Sequence, residues 1–486
     1  MQKGRLVREY TRVSTALISA FLALVAVLNV AVYALAEHFG WYLYTKEHYE
    51  HRVGEPIHDY LSALSAEGEV SLLFCMNEEE LRGDVVYRLV WETARQLAER
   101  HDFITVETVN IFTDPERVER YRYETETDPD TGETTRRQIN RITTQSVIID
   151  GGAQFMVQPL SAFFVLNANN ETEAYNGEEV MAAMVRWVLT DPHPTAYVST
   201  NHGEVADKSF YNLLVCAGYR VLPIDLMQEE LTDTAGILVV SNPRYDFIRG
   251  QTGVRAELEK IEEFLDAGGL LVMGIDPLTS GLVKLEAFLA GWGIAVSDAT
   301  IRDRGQSITA DGYTLVASYA DSDAGATLAR RTGEYGAGRV IVREASPLML
   351  SEREGKEVGA LLRASPDSAA YADGQLQSSE GNFTIAALSR DSGGGGAVFV
   401  VSSVYLAAHD ALESDEYGNE AFLYSLLDNY AGATPPFGAT MVVIGSYLLE
   451  NLTMREAHLY TLLLVGVLPL AVAGAGVVVL RRRKNR

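Results

Sequence analysis

The stretch Thr200-Asn201-His202-Gly203-Glu204 puts an imidazole two residues from a carboxylate. It follows the apolar run Thr195–Ser199 directly and precedes Lys208–Gly218, whose apolar residues recur at helical spacing. An imidazole titrates near neutral pH and a carboxylate can fix its tautomer, so His202 and Glu204 have the types and spacing of a general base and its orienting group. Such a pair needs a nucleophile. Ser199, Thr200 and Cys216 are the near candidates, but the chain has no G-x-S-x-G elbow and Cys216 falls inside the predicted helix. No ligand set with metal spacing completes around His202, so neither a catalytic nor a metal site is assigned, and no cofactor is implied. A binding role needs less. A strand-end loop before a helix offers backbone N–H groups, and Asn201, His202, Glu204, Asn242 and Arg244 could hydrogen-bond a polar ligand or a peptide carboxylate. A turn that only holds the corner of the fold needs least of all.

The elements that would position these residues follow from periodicity. Glu69–Met76, then a helical pattern over Asp84–His101, then Phe103–Phe112 read as strand, helix and strand. The segment from Arg122 to Arg141 alternates around a turn-rich centre and predicts an exposed hairpin. Two further strands, near 144–150 and 153–160, and a helix over Gly177–Thr190 complete a layout similar to a thioredoxin-like α/β unit, without a C-x-x-C. After Asp191-Pro192-His193-Pro194, near-continuous apolar strands alternate with helices, the pattern of a doubly wound, flavodoxin-like sheet covered on both faces. From Ala299 the pattern is β-rich, and Asn419–Gly432 reads as a closing helix. Cys75 and Cys216 both lie in apolar surroundings and read as small buried hydrophobes, with pairing left open.

The ends differ from the middle. Ser14–Leu35 and Leu459–Leu480 each hold about 22 residues without a charge, enough to cross a hydrocarbon core of about 30 Å. Basic residues flank both on the terminal side, Lys3 to Arg12 and Arg481 to Arg486, which predicts two transmembrane helices with both termini cytoplasmic. Between the tails stand 31 basic and 65 acidic residues, a balance that argues against nucleic-acid binding by bulk charge. The expected layout is a tail at 1–13, a span at 14–36, a stalk at 37–68, the thioredoxin-like unit at 69–192, the doubly wound unit at 193–298, a β-rich part with its helix at 299–432, a juxtamembrane segment at 433–458, a span at 459–480 and a tail at 481–486.

Four features together resemble one known family, the membrane-anchored auxiliary components of gliding-motility-type ABC transport systems. They are the "TNHGE" turn after a strand, where the family has Gly-His-Gly-Glu; "ILVVSNPRYDF" before a helix containing Glu257; "IEEFLDAGGLLVMGIDP"; and the terminal "LYTLLLVGVLPLAVAGAGVVVLRRRKNR". Asn201 stands where the family usually has Gly, and "VFVVSSVYL" replaces a Gly-Asp-Ser-like turn, although Asn419 is in place. The resemblance implies an accessory subunit anchored in the cell membrane, with ABC permease and ATPase partners and an extracytoplasmic body for a ligand or an envelope component. The chain has no G-x-x-x-x-G-K-S/T loop of its own, so ATP hydrolysis would fall to a partner. A membrane-tethered hydrolase or amidotransferase-like enzyme using His202 and Glu204, and a structural envelope scaffold, are the other readings.

Overall fold

In the computed structural model, residues 51–463 are described apart from 65–66, 85, 128–133, 167–171, 206, 234–235, 249–254, 278–280, 335–337, 415, 437–440 and 445–453. The described residues from Arg52 onward belong to one compact unit whose two largest sheets have four and ten strands.

The smaller sheet forms from β1 (Val70–Phe74), β2 (Ile104–Thr108), β3 (Ser146–Asp150) and β4 (Phe155–Pro159), in the order β2–β1–β3–β4, with β1 and β2 parallel and the other pairs antiparallel. Alternation along the strands sends Leu72, Phe74, Val147 and Ile149 to the face covered by α1 (Tyr87–Arg100) and α2 (Gly177–Leu189), where Trp91, Leu97, Met181 and Val185 are buried. Leu73, Cys75 and Ile148 point the other way, into a smaller cluster with Val118 and Tyr121. Helix Glu55–Ser62, within the segment expected as a stalk, buries Ile57 and Leu61 completely in the first of these cores. The paired strands Tyr123–Thr127 and Thr134–Gln138 form the two arms of the exposed hairpin.

The larger sheet is centred on parallel strands; all but the half-exposed edge strand are buried on both faces, which is why they read as unbroken apolar runs rather than alternating ones. These are β5 (Thr195–Ser199), β6 (Arg220–Ile224), β7 (Ile237–Ser241) and β8 (Leu270–Gly274), which run in the order β6–β5–β7–β8. α3 (Lys208–Cys216) covers one face, packing Phe210, Leu213 and Leu214 against Ala196, Val198 and Val239. α4 (Glu257–Asp266) covers the other, with Leu258, Ile261 and Phe264 against Leu238, Val240 and Leu271. The next partner of β8 is not its neighbour in sequence. β9 (Lys356–Arg363) and β10 (Thr384–Asp391) pair antiparallel, β10 pairs antiparallel with β11 (Ala397–Val401), and β11 lies parallel to β8, with Leu270 opposite Ala397. The strand that sequence pattern alone groups with the β-rich part is therefore a central member of the parallel sheet. α5 (Asn419–Ala431) closes the face shared with α3 through Phe422 and Leu426.

The architecture is mixed α/β, and one part of the expected fold class is overturned: among the described residues no helix is long and apolar enough to cross a membrane. The helix that leads into the second apolar run covers Met454–Thr461, eight residues or about 12 Å, and carries Arg455, Glu456 and His458. The run Ser14–Leu35 and residues 464–480 lie outside the described residues.

Candidate functional site

In a doubly wound sheet the order of connections reverses at one point, and the crevice at the carboxyl ends of the two strands flanking it is where ligands usually sit. Here the reversal falls between β5 and β7. The turn after β5 carries Thr200 to Val205 and the turn after β7 carries Asn242 to Ile248, so the residues singled out from sequence do collect at the switch point. The two turns are stitched together through backbone. The His202 carbonyl accepts from Arg244 N at 2.6 Å and Tyr245 N at 2.9 Å, and Val205 N donates to the Ser241 carbonyl at 3.2 Å.

The stitching turns His202 inward, where the residue is 4% exposed. Its ring stacks on Phe247 at 4.0 Å between centroids and 14° between planes. Nδ1 lies 3.2 Å from Glu204 Oε1, and on the opposite edge Nε2 lies 3.1 Å from Glu257 Oε1, an ion pair away from hydrogen-bond alignment. Glu204 is held from three sides: its Oε1 also accepts from Ser199 Oγ at 2.7 Å, and its Oε2 accepts from the backbone N of His202 at 2.7 Å. Glu257 opens α4, and its Oε2 accepts from Ile248 N at 2.7 Å. Burial alone would lower the His202 pKa, but the carboxylates of Glu204 and Glu257 outweigh it and raise it to about 9. Burial works to raise Glu204, yet the hydrogen bonds from His202 and Ser199 hold it below the ordinary carboxylate value. His202 is thus a buried imidazolium clamped between two carboxylates, one from its own turn and one from the helix that follows the neighbouring strand.

That arrangement decides the chemistry. A general base needs a ring nitrogen with a free lone pair facing a hydroxyl or a water. Both nitrogens of His202 face carboxylates, and the hydroxyl of Ser199 donates to Glu204 rather than to the ring. Thr200 Oγ1 donates to the Ile224 carbonyl at 3.0 Å, and Cys216 is buried, free and pushed well up by burial, a poor nucleophile. Cys75 is likewise a free buried thiol. Among the described residues no cluster of His, Cys, Asp and Glu could hold a metal ion.

The remaining candidates separate. Asn242 is buried, at φ 54°, and its N donates to the Gly274 carbonyl at 2.7 Å, so it shapes the turn. Arg244 is exposed, with an outer nitrogen 3.9 Å from Asp276. Asn201 is exposed at φ 76°, in the left-handed region that Gly and Asn tolerate best, which accounts for Asn where the resembled family has Gly. Asp246 caps the helix Val283–Gly291 through Lys284 N at 2.9 Å and Leu285 N at 3.1 Å. Asn419 plays a similar supporting part: its side chain accepts from Ile341 N and donates to the Ile341 and Leu406 carbonyls. Sequence reasoning missed that Glu257 and Phe247 complete the His202 site, because an acid in the first turn of a helix is ordinarily read as a dipole or capping feature.

No family model matches the chain, and no curated protein does. Solved structures with remote likeness include an exo-β-1,4-mannosidase from Opitutaceae bacterium strain TAV5, at 10% identity over 72% of this chain and 50% of that one, with a TM-score of 0.28. A cytoplasmic protein from Salmonella typhimurium matches at 10% identity over 48% of this chain and 97% of its own, with a TM-score of 0.31. A β-galactosidase from Bacillus circulans sp. alkalophilus matches at 11% identity over 72% of this chain and 42% of its own, with a TM-score of 0.29. The chain spans about half the length of the mannosidase. At these scores the likenesses carry no functional argument.

Proposed function

We propose that the chain is a non-catalytic auxiliary subunit of an ABC-type transport system, supplying a binding body for a substrate, a partner or cell-envelope material while other subunits hydrolyse ATP and form the passage. The observation that carries the non-catalytic half is the occupation of both ring nitrogens of His202 by Glu204 and Glu257, at 3.2 and 3.1 Å. The absence of a phosphate-binding loop from the sequence supports the dependence on another subunit for energy.

The transport half rests on the sequence resemblance, and the fold gives its internal motifs a common purpose. His202 comes from the first, Phe247 from the second and Glu257 from the helix that follows it, while the Gly268-Gly269 corner of the third ends that same helix. Residues that look like separate signatures act as one device that locks two strand-end turns to α4. Affinity purification of the tagged full chain from its native membranes in mild detergent tests the proposal. An ATPase bearing a phosphate-binding loop and a membrane permease are expected in stoichiometric recovery, and their repeated absence overturns it.

A further inference from the structure

Where the two sheets meet, α2, α3 and α5 leave a cavity of about 570 Å³, within the usual range for small-molecule sites. Met156, Met184 and Leu213 give it apolar wall, and Glu179, Glu413 and Glu420 bring three carboxyl groups into the same space. Other polar groups along the wall are spent on each other. Asp207 accepts from Ser209 N at 2.9 Å and from His409 N at 3.0 Å, and the His409 ring joins Ser209 Oγ at 2.9 Å to the Leu166 carbonyl at 2.8 Å. The three glutamates are not neutralised in this way. Glu179 is met by the Tyr424 hydroxyl and Glu413 by Ser209, but among the described residues no Lys or Arg comes within ion-pair distance of any of the three. Among the described residues nothing donates a hydrogen bond to Glu420, whose half-buried side chain lines the cavity.

A cavity-lining carboxyl without donor or cation, beside two more carboxyls and soft apolar wall, asks for a ligand that brings both donors and positive charge. We propose that this cavity binds an organic ammonium ion, an amine on an apolar body, with the ammonium between Glu179 and Glu420 and the body against Met156, Met184 and Leu213. This deepens the binding-subunit reading and rests on it.

The electrostatics add a signature. Burial, reinforced by repulsion among the glutamates, pushes Glu179 up to about 7 and raises Glu420, while burial raises Glu413. Burial keeps Cys216 and Tyr424, which face the same acids, protonated, and Asp207, Lys208 and His409 border Glu413. The raised values favour the protonated acids, and a bound ammonium would favour their ionised forms and release protons. Simple alkyl ammonium groups resemble the Lys side chain, with a pKa near 10, and stay charged throughout.

Tryptamine, its neutral analogue tryptophol and the anion indole-3-acetate share one apolar body and differ in the charge of the head group. Titration calorimetry of the full chain is expected to give saturable tryptamine binding that tightens at least 5-fold from pH 6 to pH 8 with release of protons. Tryptophol should bind at least 10-fold more weakly, and indole-3-acetate weaker still. The double variant Glu179→Gln with Glu420→Gln should lose the preference for tryptamine over tryptophol while keeping the parent's circular dichroism. No saturable tryptamine binding at pH 8, equal affinity for tryptophol, or an unchanged preference in the double variant overturns the inference. Purification with an ATPase and a permease but without amine binding removes this inference alone; loss of those partners removes the transport reading and leaves the calorimetry to stand by itself.

Discussion

At the scale of single residues the decisive contact is one that no spacing rule contains. His202 and Glu204 are two apart and legible together, but Glu257 reaches the ring across 55 positions of chain, and only the packing of α4 beside β7 brings it there. The types were readable, and the role was not: the motif that suggests a catalytic base builds a buried ion cluster instead. Its stability has a pH sign. The folded His202 pKa of about 9 lies above the ordinary 6.5, so the clamp's contribution is complete below about 6.5 and is lost as pH rises through 9. His202→Gln, which leaves Glu204 and Glu257 buried without their cation, should cost roughly 3 kcal/mol at pH 7. Urea unfolding at pH 6, 7.5 and 9.5 checks this. The gap between parent and variant is expected to narrow at the highest pH, and a gap constant across the series would mean that the ring is neutral in the fold.

At the scale of elements, the parallel strands were the most legible part, because burial on both faces leaves no polar alternation to blur the run from Ile237 to Val240 or from Leu270 to Met273. The turns between them show why particular residues occupy particular corners. Asn201 sits at φ 76°, so Asn201→Gly should change stability by no more than a few tenths of a kcal/mol, whereas Asn201→Val, β-branched in the left-handed region, should cost about 2 kcal/mol by thermal unfolding. The corner that ends α4 is tighter. A Cβ on Gly269 would stand 2.3 Å from the buried ring of Phe264, so Gly269→Ala should cost about 2 kcal/mol or more, and Phe264→Leu in the same chain should recover part of that loss. An additive double variant would mean that the ring is not what the new methyl meets.

At the scale of the whole molecule, the two sheets share the acid-lined space described above, and the sequence hid it. Glu179 and Glu420 sit on segments that each read as an ordinary helix, Glu413 falls in the stretch between a strand and the closing helix, and 241 positions separate the first from the last. The cavity makes stability depend on pH in a direction opposite to that of paired acids. Because folded Glu420 keeps its proton above the ordinary 4.5, its contribution is complete below about 4.5 and is lost as pH rises through the raised value. Glu420→Gln is therefore expected to raise the urea midpoint at pH 8 and to leave it unchanged near pH 4.5. An equal shift at both values would trace the effect to packing rather than charge.

The position of β11 has a consequence for how the molecule is made. Strand β8 acquires its second neighbour only from residues 397–401, more than 120 positions further along the chain, although β5, β6, β7 and β8 are all complete by Gly274. During synthesis at roughly 5–20 residues per second, a flat apolar edge of β8 stays open for several seconds, long enough to meet another nascent chain. A product ending near residue 390 would carry that edge permanently and should collect in the insoluble fraction, while one extended through α5 should not. The long excursion between β8 and β11 thus makes the larger sheet a late-closing one, whose productive folding depends on protection of a strand edge.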